Sequence, residues 1–469
     1  MTAPASTICC PVCGHITDPA DPYPFRCPRA GTDDADHLLT RVLDTAVVRF
    51  PPAPTPVSNP AAPVSDTNPF LLYRTLMHSY HVATARGLPD GAYRDLVASL
   101  DAAVAAVDGH GFRATPFFRS PGLSDALGLH PEGGVWVKDE TGNVSGSHKG
   151  RHLMGVLIHL TVMERCGLLD PASRRELAIA SCGNAALAAA VVARAGGWPL
   201  TVFVPSDADP PVVRQLHDLG ATVVPCTREP GVPGDPTYHR LRRALDRGAL
   251  PFTTQGPENG LAIEGGLTLG YELVTDLASQ TPDHLVGQPP LHHLIIQVGG
   301  GALASSALQA LREAADLGVL DRLPRVHTVQ TTGAYPLDQA HRRVAALLPD
   351  DPAPDTIRTT MVEAAQHRSA FMQPWPEQPV SVAAGILDDE TYDWRAVVEG
   401  MLLTGGQPLV VSEDSLTRAH RLAVARTGIP VDPTGSSGLA GLLELRRCGQ
   451  VGDRDRVAVL FTGLQRGTP

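Results

Sequence analysis

Short apolar, β-branched runs alternate with longer Ala- and Leu-rich stretches from about Phe70 onward, and this alternation constrains the fold more than any other feature. "VWVKD", "LAIA", "LTVFVP", "ATVVPC", "HLIIQV", "RVHTVQ", "PLVVS" and "RVAVLFT" read as strands. Each leads through a turn into a helical pattern such as "NAALAAAVVARAGG" or "ALASSALQALREAADLG". Strands separated by helix-length crossovers imply α/β layers with mostly parallel sheet. Ligands of such sheets gather where strand carboxyl ends feed helix N-termini.

A formal charge of −11 without a basic cluster argues against nucleic acid or an anionic membrane as the main partner, so a small molecule is expected. No signal-peptide pattern and no apolar run of roughly 18 residues is present, which predicts a cytoplasmic protein that does not enter a membrane. Cys9, Cys10, Cys13 and Cys27 crowd the start, while Cys166, Cys182, Cys226 and Cys448 are scattered. This is not a disulfide framework. Residues 1–45 read as a cysteine-containing head and 46–69 as a proline-rich linker. Residues 337–380, rich in Pro and Asp, read as a less regular insertion.

Four places could carry chemistry. In "KDETGNVSGSHKGRHLMGVL" (138–157), Lys149 follows a run of small polar residues at the mouth of an apolar helical pattern. A buried lysine is costly unless its charge is compensated or its amine is used covalently. In "LIIQVGGGALASSALQAL" a strand ends at Val298, and Gly299, Gly300 and Gly301 let backbone amides approach an anion beside a helix N-terminus. A turn needed only for packing is the alternative. The run lacks G-x-G-x-x-G, and no P-loop occurs anywhere. "ELAIASCGNAALAAA" sets Ser181, Cys182, Gly183 and Asn184 at a second junction, and "GIPVDPTGSSGLAGLLEL" sets Thr434, Ser436 and Ser437 at a third. Helix capping would explain any one of these, but less readily all of them with a lysine.

The joint pattern resembles the fold type II family of pyridoxal-phosphate enzymes, which includes threonine synthase, threonine and serine dehydratases, cysteine synthase and the tryptophan synthase β chain. The resemblance covers roughly residues 70–469 in motif order. It implies two doubly wound parallel-sheet domains beside the small head: 70–140 with 246–469 as the large cofactor-binding domain, and 141–245 as a small mobile one. It also implies pyridoxal 5'-phosphate as cofactor, an amino acid as substrate and a homodimer. Carried over by motif, "NVSGSHKGR" makes Lys149 the Schiff-base lysine and the base at Cα. "SCGNAA" sets Asn184 at the ring hydroxyl and Ser181, Cys182 and Gly183 at the substrate carboxylate. "GGGAL" sets Gly299, Gly300, Gly301, Ala302 and Leu303 at the phosphate, and "DPTGSSGLAGL" sets Thr434 at the pyridine nitrogen. A neutral hydroxyl there does not favour a protonated ring, so loss of a β or γ leaving group is the expected chemistry.

Within the family, threonine synthase is the nearest resemblance, on the N-terminal knuckle, "KDETGNVSGSHK" and "TVQTTGAYPL". Elimination and replacement on O-phosphohomoserine is the first expectation. β-Elimination of the threonine/serine dehydratase or diaminopropionate ammonia-lyase kind is the second, and a non-catalytic cofactor-binding regulatory subunit the third. The head has two readings of its own. Cys10, Cys13 and Cys27 supply three ligands where structural zinc takes four, with Ala30 where a fourth cysteine would stand. Either His37 or Cys9 completes a zinc site, or the head is a metal-free remnant.

Overall fold

The structure is a computed structural model that describes residues 3–52, 67–228, 235–279 and 291–466. Residues 53–66, most of the expected linker, lie outside the described residues. The chain divides into two compact units. The first comprises Met1–Cys27, Leu38–Ala114 and Asn143–Thr268, and the second Pro28–His37, Thr115–Gly142 and Leu269–Pro469.

The described strands are β1 (Ser6–Cys9), β2 (Thr40–Leu43), β3 (Phe117–Ser120), β4 (Gly134–Asp139), β5 (Leu177–Ala180), β6 (Leu200–Pro205), β7 (Thr222–Cys226), β8 (Leu250–Pro251), β9 (His293–Gln297), β10 (Arg325–Thr331), β11 (Pro408–Val411) and β12 (Arg456–Phe461). In the first unit, β7-β6-β5-β8 form a parallel sheet. In the second, β11-β10-β9-β12-β4-β3 form a sheet that is parallel except for the edge pair β3–β4. All eight apolar runs singled out in the sequence are strands. They are apolar on both faces because helices cover both sides of a parallel sheet. In the second unit Ile295, Val329, Val457 and Val459 pack with Leu439 and Leu442 in one core. Each such side chain contributes about 1.5–3 kcal/mol by leaving water.

The helix Lys149–Arg165 is buried along nearly its whole length, so its apolar residues are not confined to one stripe. Its crossing with the helix Ala262–Ser279 is close. A Cβ on Gly155 would stand 2.7 Å from the Cα of Gly265, and one on Gly265 would stand 2.0 Å from the carbonyl oxygen of Arg151. Gly265, the first of the paired glycines in "IEGGLTLGYEL", therefore serves helix packing. Two of the buried polar side chains of the long helix have local partners. Arg151 Nη1 donates to Thr268 Oγ1 at 3.1 Å, and His152 Nδ1 lies 2.8 Å from the Ala262 carbonyl.

One expectation is corrected. Residues 337–380 are largely helical, with helices Pro336–Ala345, Pro354–Gln366 and Arg368–Phe371. Pro336 and Pro354 occupy first-turn positions, where the missing N–H has no helical partner to lose, so they start helices instead of breaking them. In the head, β1 and β2 pair antiparallel, Ser6 opposite Leu43. Ser6 Oγ lies 2.9 Å from His78 Nδ1 and 2.8 Å from His81 Nδ1, which seats the ribbon on the helix His78–Ala85.

Candidate active site

In the first unit, the chain turns from Asn143 to Ser147 before entering the helix that begins at Lys149. Ser145 has φ +57°, a left-handed conformation that a serine adopts at a cost. Its amide donates to Asp108 Oδ2 at 2.9 Å, which holds the turn in place. Ser147, two residues before the lysine, is fully buried, and its hydroxyl has no hydrogen-bond partner among the described residues. A buried hydroxyl left in that state calls for a polar partner that the chain itself does not supply. Lys149 is half-buried on the first helical turn. The helix Asn184–Gly196 packs against the Lys149 helix. Its N-cap is Gly183, which has no side chain to cap with, and Ser181–Gly183 form the exposed turn after β5, with Ser181 Oγ accepting from the Gly183 amide at 3.4 Å.

In the second unit, β9 runs into Gly299–Gly301, and the helix Ala302–Asp316 begins directly after them. Residues 384–393 wrap one side of this loop. Thr391 Oγ1 donates to the Gly299 carbonyl at 2.9 Å, and the Asp393 amide donates to the Gly300 carbonyl at 3.0 Å. In a trans peptide the carbonyl and the following N–H point in opposite directions. The amides of Gly300 and Gly301 therefore face away from that wrap, beside the positive helix end. No side chain fits on the wrapped side. A Cβ on Gly299 would stand 2.2 Å from Asp388 Oδ2 and one on Gly300 2.8 Å from the Tyr392 ring, while Gly301 has φ +100°. The same wrap reaches Thr434, whose Oγ1 accepts from the Gly385 amide at 3.0 Å. With that bond made, the Thr434 hydroxyl keeps its proton for donation. Ser436 and Ser437 are turned inward, their hydroxyls donating to the carbonyls of Asp432 at 2.9 Å and Pro433 at 2.8 Å.

The structure thus gathers Lys149 and the Ser181–Asn184 loop in one unit, and the glycine loop and Thr434 in the other. Sequence reasoning missed two contributors. Ser147 lay inside the small polar run ahead of Lys149, and the wrap 384–393 lay just past the stretch set aside as an insertion. The repeated acids of "GILDDETYDW" were the one signal for the wrap.

Lysine occurs at only two positions in the whole sequence, 138 and 149; every other basic side chain of the Lys/Arg kind is arginine. Lys138 is fully buried in β4. Its Nζ donates to Glu272 Oε2 and to the Thr115 carbonyl, both at 2.7 Å, with Asp276 at 3.8 Å. An ammonium so held is unsuited to forming a covalent bond with a ligand.

In the head, Cys10, Cys13, Cys27 and His37 present ligand atoms that all lie within 4.8 Å of one another. Cys9 is not among them. Burial pushes the Cys10 thiol up to about 12.

Parallel sheets whose carboxyl ends carry an anion-ready glycine loop and a lysine-bearing helix start define a ligand-binding α/β protein. A family profile described as "Pyridoxal-phosphate dependent enzyme" matches residues 110–463, and the chain belongs to that family. It is similar to threonine synthase of Methanocaldococcus jannaschii, with 25% identity over 352 residues and 74% of each chain covered. It is also similar to threonine synthase of Mycobacterium tuberculosis, with 24% identity over 350 residues covering 74% of this chain and 80% of that one. The fold is shared with the threonine deaminase of T.th. (TM-score 0.56, 20% identity, 80% of this chain and 99% of that one) and with Escherichia coli diaminopropionate ammonia lyase (TM-score 0.56, 16% identity, 79% and 88%). Pyridoxal phosphate fits the residues present: an amine at Lys149, an orphaned hydroxyl at Ser147, and glycine amides turned outward on a loop that admits no side chain. Among the described residues, no helix is long and apolar enough to cross a membrane.

Proposed function

We propose that this protein is a pyridoxal-phosphate-dependent lyase or synthase of the threonine synthase kind, acting on a β- or γ-substituted amino acid. The observation that carries the reading is the joint presence of Lys149, the lysine outside the sealed Lys138–Glu272 pair, and a glycine loop whose amides face away from the 384–393 wrap, beside a helix N-terminus. When bound, the cofactor supplies the electron sink for a negative charge at the substrate Cα. The amides of Gly300, Gly301 and Ala302 hold its phosphate, and Leu303 closes the loop's helical end. Asn184 donates to the ring oxygen. The Thr434 hydroxyl, its oxygen already accepting from Gly385, donates to the ring nitrogen and so keeps that nitrogen unprotonated. Backbone and side-chain donors of Ser181, Cys182 and Gly183 orient the substrate carboxylate. Lys149 takes the Cα proton at Nζ and carries it to the next acceptor.

A second reading, β-elimination of the diaminopropionate ammonia-lyase or dehydratase kind, is favoured by one feature. The wrap packed on the glycine loop is acidic, with Asp388 against Gly299 and Asp393 against Gly301. Carboxylates there disfavour a second phosphate, as O-phosphohomoserine would bring, and tolerate an amine. The deciding experiment incubates the cofactor-loaded protein with O-phosphohomoserine, serine, threonine and 2,3-diaminopropionate while following phosphate, threonine, ammonia and oxo acid. Phosphate with threonine is the expected result. Ammonia with an oxo acid selects the second reading, and no turnover across the panel overturns both in favour of a non-catalytic cofactor-binding subunit.

A further inference from the structure

Residues 11–39 contain neither helix nor strand, yet Phe25, Cys27 and Leu39 are buried within or beside them, as is Cys10 at their edge. A long irregular segment that buries side chains has few backbone ladders to hold it, and small units of this kind are commonly fixed by a crosslink or a metal. Among the described residues no cysteine is in a disulfide.

Four groups meet inside this segment. Cys10 and Cys13 come from one tight turn at the end of β1, in which the Gly14 amide donates to the Cys10 carbonyl at 2.9 Å and the Cys10 amide to the His15 carbonyl at 2.8 Å. Cys27 brings its sulfur to 3.7 Å from that of Cys13. Two thiolates on a tetrahedral zinc, each at about 2.3 Å, stand about 3.8 Å apart. The pair is therefore at ligand spacing and well beyond a disulfide bond. His37 completes the group, and all four ligand atoms lie within 4.8 Å of one another. Its Nε2 is 2.9 Å from Asp33 Oδ1, the outer partner that metal-binding histidines characteristically have, so Nδ1 is the nitrogen turned to the metal.

Asp33 and His37 are themselves anchored. The Asp36 amide donates to the Ala365 carbonyl at 2.8 Å, the Arg368 amide to the Asp34 carbonyl at 2.9 Å, and Arg368 Nε lies 3.4 Å from Asp36 Oδ1. The fourth ligand thus sits on a pinned stretch, the rigidity a structural ion requires. We propose that the head binds one structural Zn²⁺ through Cys10, Cys13, Cys27 and His37, with Asp33 orienting the histidine, and that the ion fixes the irregular segment 11–39. Three thiol protons leave as the metal enters, and no redox change is involved. A closed set of four protein ligands leaves no open position, so the ion takes no part in the reaction.

The test uses the full-length, cofactor-loaded protein purified without added metal or chelator. Metal analysis should find one zinc per chain. Replacement by Co²⁺ should give visible bands of a tetrahedral thiolate site, beyond the cofactor's own absorption. His37→Ala should lose zinc to a chelator far faster than the native protein, and His37→Cys should restore retention, which a mere folding defect would not. Asp33→Asn should weaken zinc binding by about 10- to 100-fold. A metal-free protein, or a Cys13–Cys27 disulfide in the purified chain, overturns the proposal. Retention by His37→Ala equal to the native protein overturns the ligand set.

Discussion

Two lysines separated by ten residues occupy opposite physical situations. Lys138 lies in β4, one strand in from the sheet edge, fully buried, its charge met by Glu272 and Asp276 and its third side by the Thr115 carbonyl. Lys149 lies at the start of a helix, half-buried, behind a serine held in left-handed backbone and another whose hydroxyl has no partner among the described residues. A helix N-terminus is a poor place for a cation because its amides already present positive charge. The difference teaches that burial alone does not define a lysine's situation. What distinguishes Lys149 is its setting: a helix start, a left-handed turn and an orphaned hydroxyl nearby.

That contrast can be broken most forcefully at Lys149. Lys149→Ala should lower turnover by roughly a thousandfold or more and abolish fixation of the cofactor by borohydride, with thermal stability close to native. Fixation that moved to Lys138 would end the contrast.

The opposite outcome is expected at Lys138. Lys138→Met strands the Glu272 carboxylate in the core and should destabilise the fold by about 3–5 kcal/mol, while turnover per folded molecule stays near native. Adding Glu272→Gln, which keeps an acceptor for the Thr115 amide, should recover much of the loss. Urea unfolding curves with activity read on the same samples separate the two effects.

The smallest effect lies at the rim of the ion pair. Burial raises the Asp276 carboxyl from 3.8 to about 6, outweighing the pull of Lys138 in the other direction. A folded-state pKa above the unfolded one means that the folded chain binds more protons between those values. Stability therefore falls as pH rises from about 4 to about 6 and stays lowered above that. Since the side chain is about a third exposed, Asp276→Asn should gain only about 1 kcal/mol at pH 7 and nothing near pH 3. Equal gains at both values would remove Asp276 from the account.

Much of this molecule was legible because parallel strands are apolar on both faces and stand out as runs: all eight runs became strands. What escaped has physical reasons. β8 is two residues long and β3 is an antiparallel edge reading "FFRS", too short for any periodicity. The helices after Pro336 and Pro354 were hidden by prolines that mark a helix start as readily as a break. The lysine segment, the glycine loop and the third loop stood out because each combines residue types that packing alone seldom asks for together, and their roles rest on the proposed function. The wrap 384–393 was not, since its work is done by backbone amides and by a carboxylate, an aromatic ring and a threonine that any surface loop can contain. The fourth member of the head's cysteine group could be narrowed to two residues by composition, but only distance separates His37 from Cys9.

The scarcity of lysine has a practical consequence for anyone who maps this protein. A lysine-specific endoprotease acting on the unfolded chain can cut only after Lys138 and after Lys149, and so releases one short peptide, Asp139 to Lys149, that ends on the residue of interest. Acylation or reductive capture of the Lys149 amine removes the second cleavage and leaves Asp139 joined to everything that follows. In the folded chain Lys138 is sealed within the sheet, so amine-directed reagents have one side-chain target, and a cofactor bonded there as proposed would act as a protecting group whose occupancy they count.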